Sequence, residues 1–222
     1  MIEYQFNYFI KQAIVGSDPS SILPLIESFN NKFLPSFVDH ATPVGTKKVV
    51  RMVGFDEFDG ASVLFAPDAV FINILYRETN INETDELDKL SFINKAIEKI
   101  NSSVKAWRVS SVITSIERAT NDLSKKMYAK HFSGDEFNDF FEWSVRRAKR
   151  IDIKNESFNL ITTQNRNVVM NAFNPSESFD AVVTQIDINT SQDKSAERFS
   201  FDNQNFIDIS ALIKEILQKE IE

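Results

Sequence analysis

The chain contains no cysteine, and this absence removes two kinds of site at once. Without thiols it can hold neither a disulfide framework nor a thiolate-bound metal, and a reducing cytosol is the compartment that suits it. Its two histidines, His40 and His131, lie far apart, and neither has a second histidine at the spacing of metal ligands. We therefore expect no metal there, and each histidine in a loop or at a helix end.

Glycine is also scarce, with five residues scattered at positions 16, 45, 54, 60 and 134. They form no glycine-rich loop of the kind that cradles phosphates, and no Gly-x-Ser-x-Gly segment offers a serine nucleophile. We predict no cofactor and no catalytic residue, and we expect that the protein is not an enzyme.

Long apolar runs are missing too. The longest, SVLFAPDAVFINILY, is interrupted by Pro67 and Asp68, whereas a helix needs about 20 apolar residues to cross a bilayer. The first residues, MIEYQFNYFIKQAIV, carry an early glutamate and alternate polar with apolar side chains, unlike a secretory leader. We expect a soluble cytoplasmic protein with no membrane partner.

The composition of the chain is that of a globular protein with a negative net charge. Hydrophobic residues make up 42% and charged residues 26% of its 222 residues, so a folded chain with a sizeable core is expected. The formal net charge of −7 argues against a surface that follows a phosphate backbone over its whole extent. A local basic patch stays compatible with this balance.

The hydrophobic pattern predicts a similar order of elements in both halves of the chain. The first half reads as a strand over 3–15, a helix over SDPSSILPLIESFNNKFLP with Ser21 as N-cap, the strands KKVVRMVGF, GASVLFA and AVFINILYR, and a helix over 84–103. The second half reads as a long strand over 105–118, a short helix over 122–130, the strands FNLITTQ, NVVMNAF and FDAVVTQIDINT, and an amphipathic helix over 208–222.

This order of strand, helix, three strands and helix, roughly repeated, predicts an α+β fold. We expect mostly antiparallel sheets that are covered by helices, with a long C-terminal helix. No linker rich in proline, glycine or serine separates the halves. The chain therefore forms either a single compact unit over 1–222 or two tightly joined lobes of about 1–103 and 104–222.

Acidic residues concentrate in the turn GFDEFDG, which brings Asp56, Glu57 and Asp59 close together. A calcium ion needs several oxygen ligands, but the twelve-residue calcium loop with its terminal glutamate is missing. A solvated hairpin turn is the favoured interpretation, and cation binding is left open. Asp152 and Asp187 each lie between β-branched residues of predicted strands, so we expect them on a polar outer face.

The segment EFNDFFEWSVRRAKRIDIKN, residues 136–155, sets aromatic residues directly beside a basic cluster. The cluster consists of Arg146, Arg147, Lys149 and Arg150. Exposed rings next to cations can form a surface for nucleic acid. The four cations are our candidate contacts for nucleic acid or for a protein partner.

Two local structures are open for residues 134–150. As a helix, the segment has an apolar stripe with Phe137 and Phe141, and its periodicity prefers this reading at least to Phe141. As a strand, Phe141, Trp143 and Val145 alternate inward. Both readings bury the aromatic residues, so they are not expected to stack on bases.

Three pieces of the second half carry a resemblance to a known group of proteins. KAWRVSSVITSIERATNDLSKKM, then a meander, then VVTQIDINT and a closing helix resemble a sporadically distributed bacterial and archaeal family of similar length. That family has an arginine-rich long strand and a late Asp-x-Asp strand. Here Asn189 replaces the second acid after Asp187.

This resemblance implies no reaction and no site residue, because the family has no established activity. It favours a strand for residues 141–153. The family's patchy distribution suits a gene of a mobile element, a phage or a defence system.

We therefore expect a non-enzymatic binding protein that acts through a protein partner. The many predicted strands offer edges that can pair with a partner or with a second copy in a homo-oligomer. The alternative is a nucleic-acid-associated factor that uses the cluster at residues 146–150.

Overall fold

The computed structural model describes residues 1–16, 18–42, 45–77, 85–132, 142–170, 176, 178–191 and 194–221. Nine strands run through this part of the chain: β1 Ile2–Phe9, β2 Phe33–Thr42, β3 Gly45–Gly54, β4 Ala61–Phe65, β5 Ala69–Tyr76, β6 Arg108–Arg118, β7 Trp143–Ile153, β8 Glu156–Val169 and β9 Phe179–Thr190. They form one antiparallel sheet in the order β2-β3-β4-β5-β1-β6-β9-β8-β7.

Four α-helices in the same part of the chain pack on one face of this sheet. They are α1 Pro19–Ser28, α2 Asp85–Ile100, α3 Asn121–His131 and α4 Ile207–Ile221. We call the covered side of the sheet the helix face and the other side the open face. None of the helices in the described residues is long and apolar enough to cross a membrane.

The alternation of β1 fixes which side chains belong to each face. Tyr4, Phe6 and Tyr8 are buried on the helix face, as the sequence pattern predicts. Phe6 lies opposite Ile72 of β5 and opposite Ser111 of β6, so the central strand joins the two halves of the sheet. The intervening residues of β1, including Asn7 and Phe9, therefore point to the open face.

The predicted arrangement of several sheets with a long C-terminal helix is wrong. One sheet runs through both halves of the chain, and α4 has 15 residues, one fewer than α2. The single sheet depends on the pairing of β1 with β6 and of β6 with β9, which are far apart in sequence. Local periodicity carries no information on which strands pair.

Several element boundaries also differ from the prediction. The first strand ends at Phe9, and α1 is capped by Asp18 rather than by Ser21. Phe33, predicted on that helix, starts the unpredicted strand β2 instead. The pattern predicts two strands in FNLITTQ and NVVMNAF, but the first of these segments and the beginning of the second belong to the single strand β8.

Other elements are confirmed. The three strands β3, β4 and β5, the helices α2 and α3, and the long strand β6 lie where the pattern predicts them. In α2, Leu90, Ile93, Ala96 and Ile97 are buried along one stripe against the sheet.

Candidate functional site

Strand β7 carries the predicted basic cluster and forms one edge of the sheet. Within the described residues it pairs with β8 alone. The strand reading is therefore confirmed from Trp143 onwards, and the helix reading is wrong there. Residues 133–141, which include Phe137 and Phe141, lie outside the described residues.

The four cations of the cluster are divided between the two faces of the sheet. Arg147 and Lys149 lie opposite Thr162 and Leu160, on the helix face. The other two cations, Arg146 and Arg150, are opposite Thr163 and Asn159 and belong to the open face. Because side chains alternate along a strand, two of the four cations lie on each face of the sheet beside its edge.

On the helix face, the end of α4 closes a groove beside β7. Arg147 forms an ion pair with Glu220, with 2.5 Å between Nη2 and Oε1. Lys130 of α3 donates hydrogen bonds to the carbonyl oxygens of Lys219 and Glu220. The groove between β7, β8 and α4 has a volume of about 370 Å³, and its apolar lining includes Leu160 and Ile216.

On the open face, a second depression lies along the same strand. Its volume is about 390 Å³, and its lining includes Arg146, Ala148, Arg150, Asn159 and Ile161. Both depressions are lined by Ala148 and Lys149. The exposed middle of β7 therefore has a groove-like recess on the helix face and a shallower, more open recess on the open face.

Trp143, at the start of β7, is only 7% exposed, as the sequence predicts. Its ring lies 6.5 Å from that of Tyr128 and 6.2 Å from that of Phe132, measured between ring centres. The indole therefore packs between the sheet and the end of α3. It gives the basic cluster no ring on which a base could stack.

The acidic turn between β3 and β4 is occupied by a short 3₁₀ helix over Asp56–Phe58. Glu57 lies 2.7 Å from the Nζ atom of Lys32, and this hydrogen-bonded pairing lowers the pKa of the Glu57 carboxyl group. In the described part of the chain, no three His, Asp or Glu side chains lie close enough together to hold a metal ion. Cation binding by Asp56, Glu57 and Asp59 receives no support from this geometry.

Of the two histidines, His131 ends α3 as predicted, whereas His40 lies within β2 rather than in a loop. The Nε2 atom of His131 is hydrogen-bonded to the side-chain oxygen of Gln164. His40 packs near Phe71, with 6.3 Å between the ring centres.

A cluster that sequence reasoning missed lies on the open face, around Arg108 at the start of β6. The guanidinium carbon of Arg108 is 4.8 Å from the centre of the Phe9 ring. The Phe9 ring is in turn 6.4 Å from the rings of Phe71 and Trp107. All four of these side chains are half-buried, so each keeps some accessible surface.

A hydrogen-bond network continues from Arg108 across three strands. The Nη2 atom of Arg108 and the Nδ2 atom of Asn159 both donate to the Oδ1 atom of Asn189, at 3.0 and 3.1 Å. Asn189 Nδ2 and Ser110 Oγ donate to the two oxygens of Asp187, at 3.0 and 3.1 Å. The network orients the guanidinium of Arg108 through its hydrogen bond to Asn189.

Burial lowers the pKa of Arg108, and the negative charge of Asp187 opposes this shift. Among the described residues, no carboxylate lies within ion-pair distance of its guanidinium. The prediction that Asp187 faces outward is confirmed. The sequence could not show the network, because Arg108 and Asn189 are 81 positions apart.

Comparison of the chain with protein-family models, with curated proteins and with solved structures finds no match.

Proposed function

We propose that the chain is a non-enzymatic binding protein and that the edge of β7 takes up an extended acidic segment of a partner protein as an additional strand. The observation that carries this proposal is the basic edge strand, with a recess on each face of the sheet beside it. The 11 residues of β7 have one paired side and one side that no described strand covers.

The backbone of β7 supplies the first part of the interaction. Alternate residues of an edge strand direct their N–H and C=O groups away from the sheet, where a second chain can pair with them. Such strand addition derives affinity from main-chain hydrogen bonds and specificity from pockets for alternate side chains. The recesses beside Arg147 and Arg150 lie where these alternate side chains would enter.

The charges of β7 select the partner. Four cations within residues 146–150 favour a segment whose side chains are acidic on both faces. A second copy of β7 in antiparallel pairing would place like charges opposite one another, which is destabilising. A homo-oligomer through this edge is therefore disfavoured relative to an acidic partner.

The other edge of the sheet is less suited to strand addition. β2 contains Pro35, which has no backbone N–H to donate, and its exposed side chains include Leu34 and Phe37. Among the residues of β7 there is no proline. This difference makes β2 a matched control for experiments on β7.

We expect the nucleic-acid alternative for Arg146, Arg147, Lys149 and Arg150 to be the weaker one. The cations lie on two faces, and Trp143 is buried, so among the described residues of this segment no ring is available for the stacking that supports single-strand binding. A cytoplasmic location accords with the absence of cysteine. An origin in a mobile element, a phage or a defence locus rests on the family resemblance.

Photo-cross-linking in the native host tests the proposal. A photo-reactive amino acid in place of Ala148 should capture a protein, and mass spectrometry should locate the captured segment in an acidic, strand-forming stretch. The same amino acid in place of Phe37 on β2 serves as the control. Replacing both Arg146 and Arg150 with glutamine should reduce capture at position 148.

Three outcomes would overturn the proposal. They are capture of nucleic acid alone at position 148, capture of the same proteins at positions 148 and 37, and capture that the double replacement leaves unchanged. The replacement Arg118→Gln, on the open face of β6 and remote from β7, should leave capture unchanged and so controls for the loss of charge.

A further inference from the structure

We infer that the open face carries a second site, separate from β7, which binds a nucleotide unit. The site is centred on Arg108 and extends over Phe9, Phe71 and Asn7, on three adjacent strands of the sheet. It goes beyond the proposed binding of a protein at β7, because it uses other residues and takes another class of ligand.

Arg108 provides the contact for an anion. Its guanidinium is stacked on Phe9 and held by Asn189, while its Nε atom is buried without a hydrogen-bond partner in the described residues. A cation that is half-buried and not paired with a carboxylate retains donors for a planar or tetrahedral anion, and arginine suits phosphate in geometry. The phosphate of a nucleotide is such an anion.

The rings around Arg108 provide a surface for a base. Phe9 and Phe71 lie on the neighbouring strands β1 and β5, with their ring centres 6.4 Å apart and their planes at 85°, so a base would stack on one of the two rings and contact the edge of the other. Trp107 and His40 extend the same group of rings on either side. Aromatic side chains on the accessible face of a sheet, next to an arginine, form the kind of surface on which bases stack.

Asn7 gives an independent indication of a ligand. It is only 6% exposed and points to the open face, between Phe71 of β5 and Ser110 of β6. Its Oδ1 atom is buried and accepts no hydrogen bond from the described residues, and the same holds for Oδ1 of Asn73, two positions from Phe71 on β5. Buried acceptors are costly when they stay unpaired, so these two atoms call for a donor.

These three features together select the chemistry of the ligand. A purely acidic ligand would satisfy Arg108 but would bring no donor to Asn7 or Asn73. An apolar ring would leave the guanidinium without an anion. A nucleotide combines a phosphate, a flat ring and N–H groups on the edge of that ring, whether it is free or part of a single strand.

The binding experiment uses two kinds of probe and fluorescence anisotropy or calorimetry at about 50 mM salt. The probes are a dye-labelled, mixed-sequence single-stranded DNA and the four ribonucleoside monophosphates. The replacements Phe71→Leu and Arg108→Gln should each weaken binding by about fivefold or more, because each removes a stacking or phosphate contact. Binding of monophosphates identifies a free nucleotide as the ligand, and binding of DNA alone identifies a single strand.

A second pair of residues supplies the matched control. Arg118 lies on the same strand and face as Arg108, about 33 Å further along, and is stacked on Phe179 at 4.7 Å. The replacements Phe179→Leu and Arg118→Gln should leave binding within twofold of the unmodified protein, about the precision of such a comparison. Circular dichroism and thermal unfolding confirm that each variant is folded before it is compared.

The inference is overturned if neither probe binds at low salt, or if the replacements at Phe71 and Arg108 affect binding no more than those at Phe179 and Arg118. It is also overturned if a peptide of alternating glutamate and threonine requires Phe71 and Arg108 while the nucleotide probes do not. The open face would then bind an acidic protein segment instead.

Discussion

Lys214 on α4 forms an ion pair with Glu86 on α2, with 2.5 Å between Nζ and Oε1. The Glu86 side chain is fully buried, whereas that of Lys214 is 30% exposed. The pair therefore connects the two longest helices on the helix face. Glu86 also lies close enough to Tyr4 for its charge to add to the effect of burial, and both raise the pKa of the tyrosine hydroxyl.

Breaking this pair should destabilise the fold strongly. The replacement Lys214→Met leaves the Glu86 carboxylate buried and without its cation, and we expect a loss of about 3–5 kcal/mol in the free energy of unfolding. Urea denaturation measures the loss. The double replacement of Glu86 with leucine and Lys214 with methionine should recover most of it, because no charge is then left buried.

An exposed pair provides the comparison. Lys154 and Asp208 are also 2.5 Å apart, but their side chains are 66% and 43% exposed. The replacement Lys154→Met should therefore cost less than about 1 kcal/mol. Equal losses for Lys214→Met and Lys154→Met would contradict the structural role given to Glu86.

The network on the open face should contribute measurably to stability. Asn189 is buried, accepts hydrogen bonds from Arg108 and Asn159 and donates one to Asp187. The replacement Asn189→Ala removes these three bonds, so we expect a loss of about 1–3 kcal/mol in chemical denaturation. If Asn189→Ala lowers the free energy of unfolding by less than the replacement of an exposed residue does, water takes over the hydrogen bonds of the Asn189 side chain.

Gln185 is the matched exposed residue for that measurement. It lies on the same strand and face, and its amide donates a hydrogen bond of 3.3 Å to Thr114. The replacement Gln185→Ala should change the free energy of unfolding by no more than about 0.5 kcal/mol.

The stabilisation of α1 by its N-cap residue Asp18 should be lost in acid. Hydrogen bonds from the hydroxyl groups of Ser20 and Ser21 and from the Ser21 amide lower the pKa of Asp18 from 3.8 to about 2. Because the folded state has the lower pKa, this stabilisation is present above about pH 3.8 and is lost as the pH falls towards 2. An NMR titration of the Asp18 carboxyl group measures the midpoint directly.

The replacement Asp18→Asn separates this effect from the titration of other acids. Asparagine can also cap a helix but carries no carboxyl group. The stability advantage of the unmodified protein over Asp18→Asn should therefore shrink as the pH falls from about 3.8 to about 2. A titration midpoint at the ordinary value of 3.8 would contradict the capping geometry.

Local periodicity predicts a large part of this fold. The alternation of Tyr4, Phe6 and Tyr8 and the stripe of Leu90 and Ile93 identify buried faces correctly, because each pattern lies within one element. The sequence pattern does not predict strand β2, because this strand lies at an edge of the sheet, where burial is slight. It therefore contains polar residues and Pro35 instead of a strong apolar alternation. Edge strands lack the strong apolar signal of central ones.

The two candidate sites also differ in how much of them can be predicted from the sequence. The cations at residues 146–150 are visible in the sequence, but their division between two faces appears only once β7 is known to be a strand. The site at Arg108 has no local signature. Phe9, Phe71 and Arg108 meet because three distant segments pair in one register, which the sequence does not encode in any short pattern.

Amide hydrogen exchange along β7 is the most direct test of strand addition. The acidic segment captured at position 148 is synthesised as a peptide, and exchange is compared with and without it. If β7 receives the segment as an added strand, outward-facing amides between Ser144 and Asp152 become protected at alternate residues, while those of β2 do not change. Binding without any added protection in β7, or protection confined to other strands, would contradict strand addition.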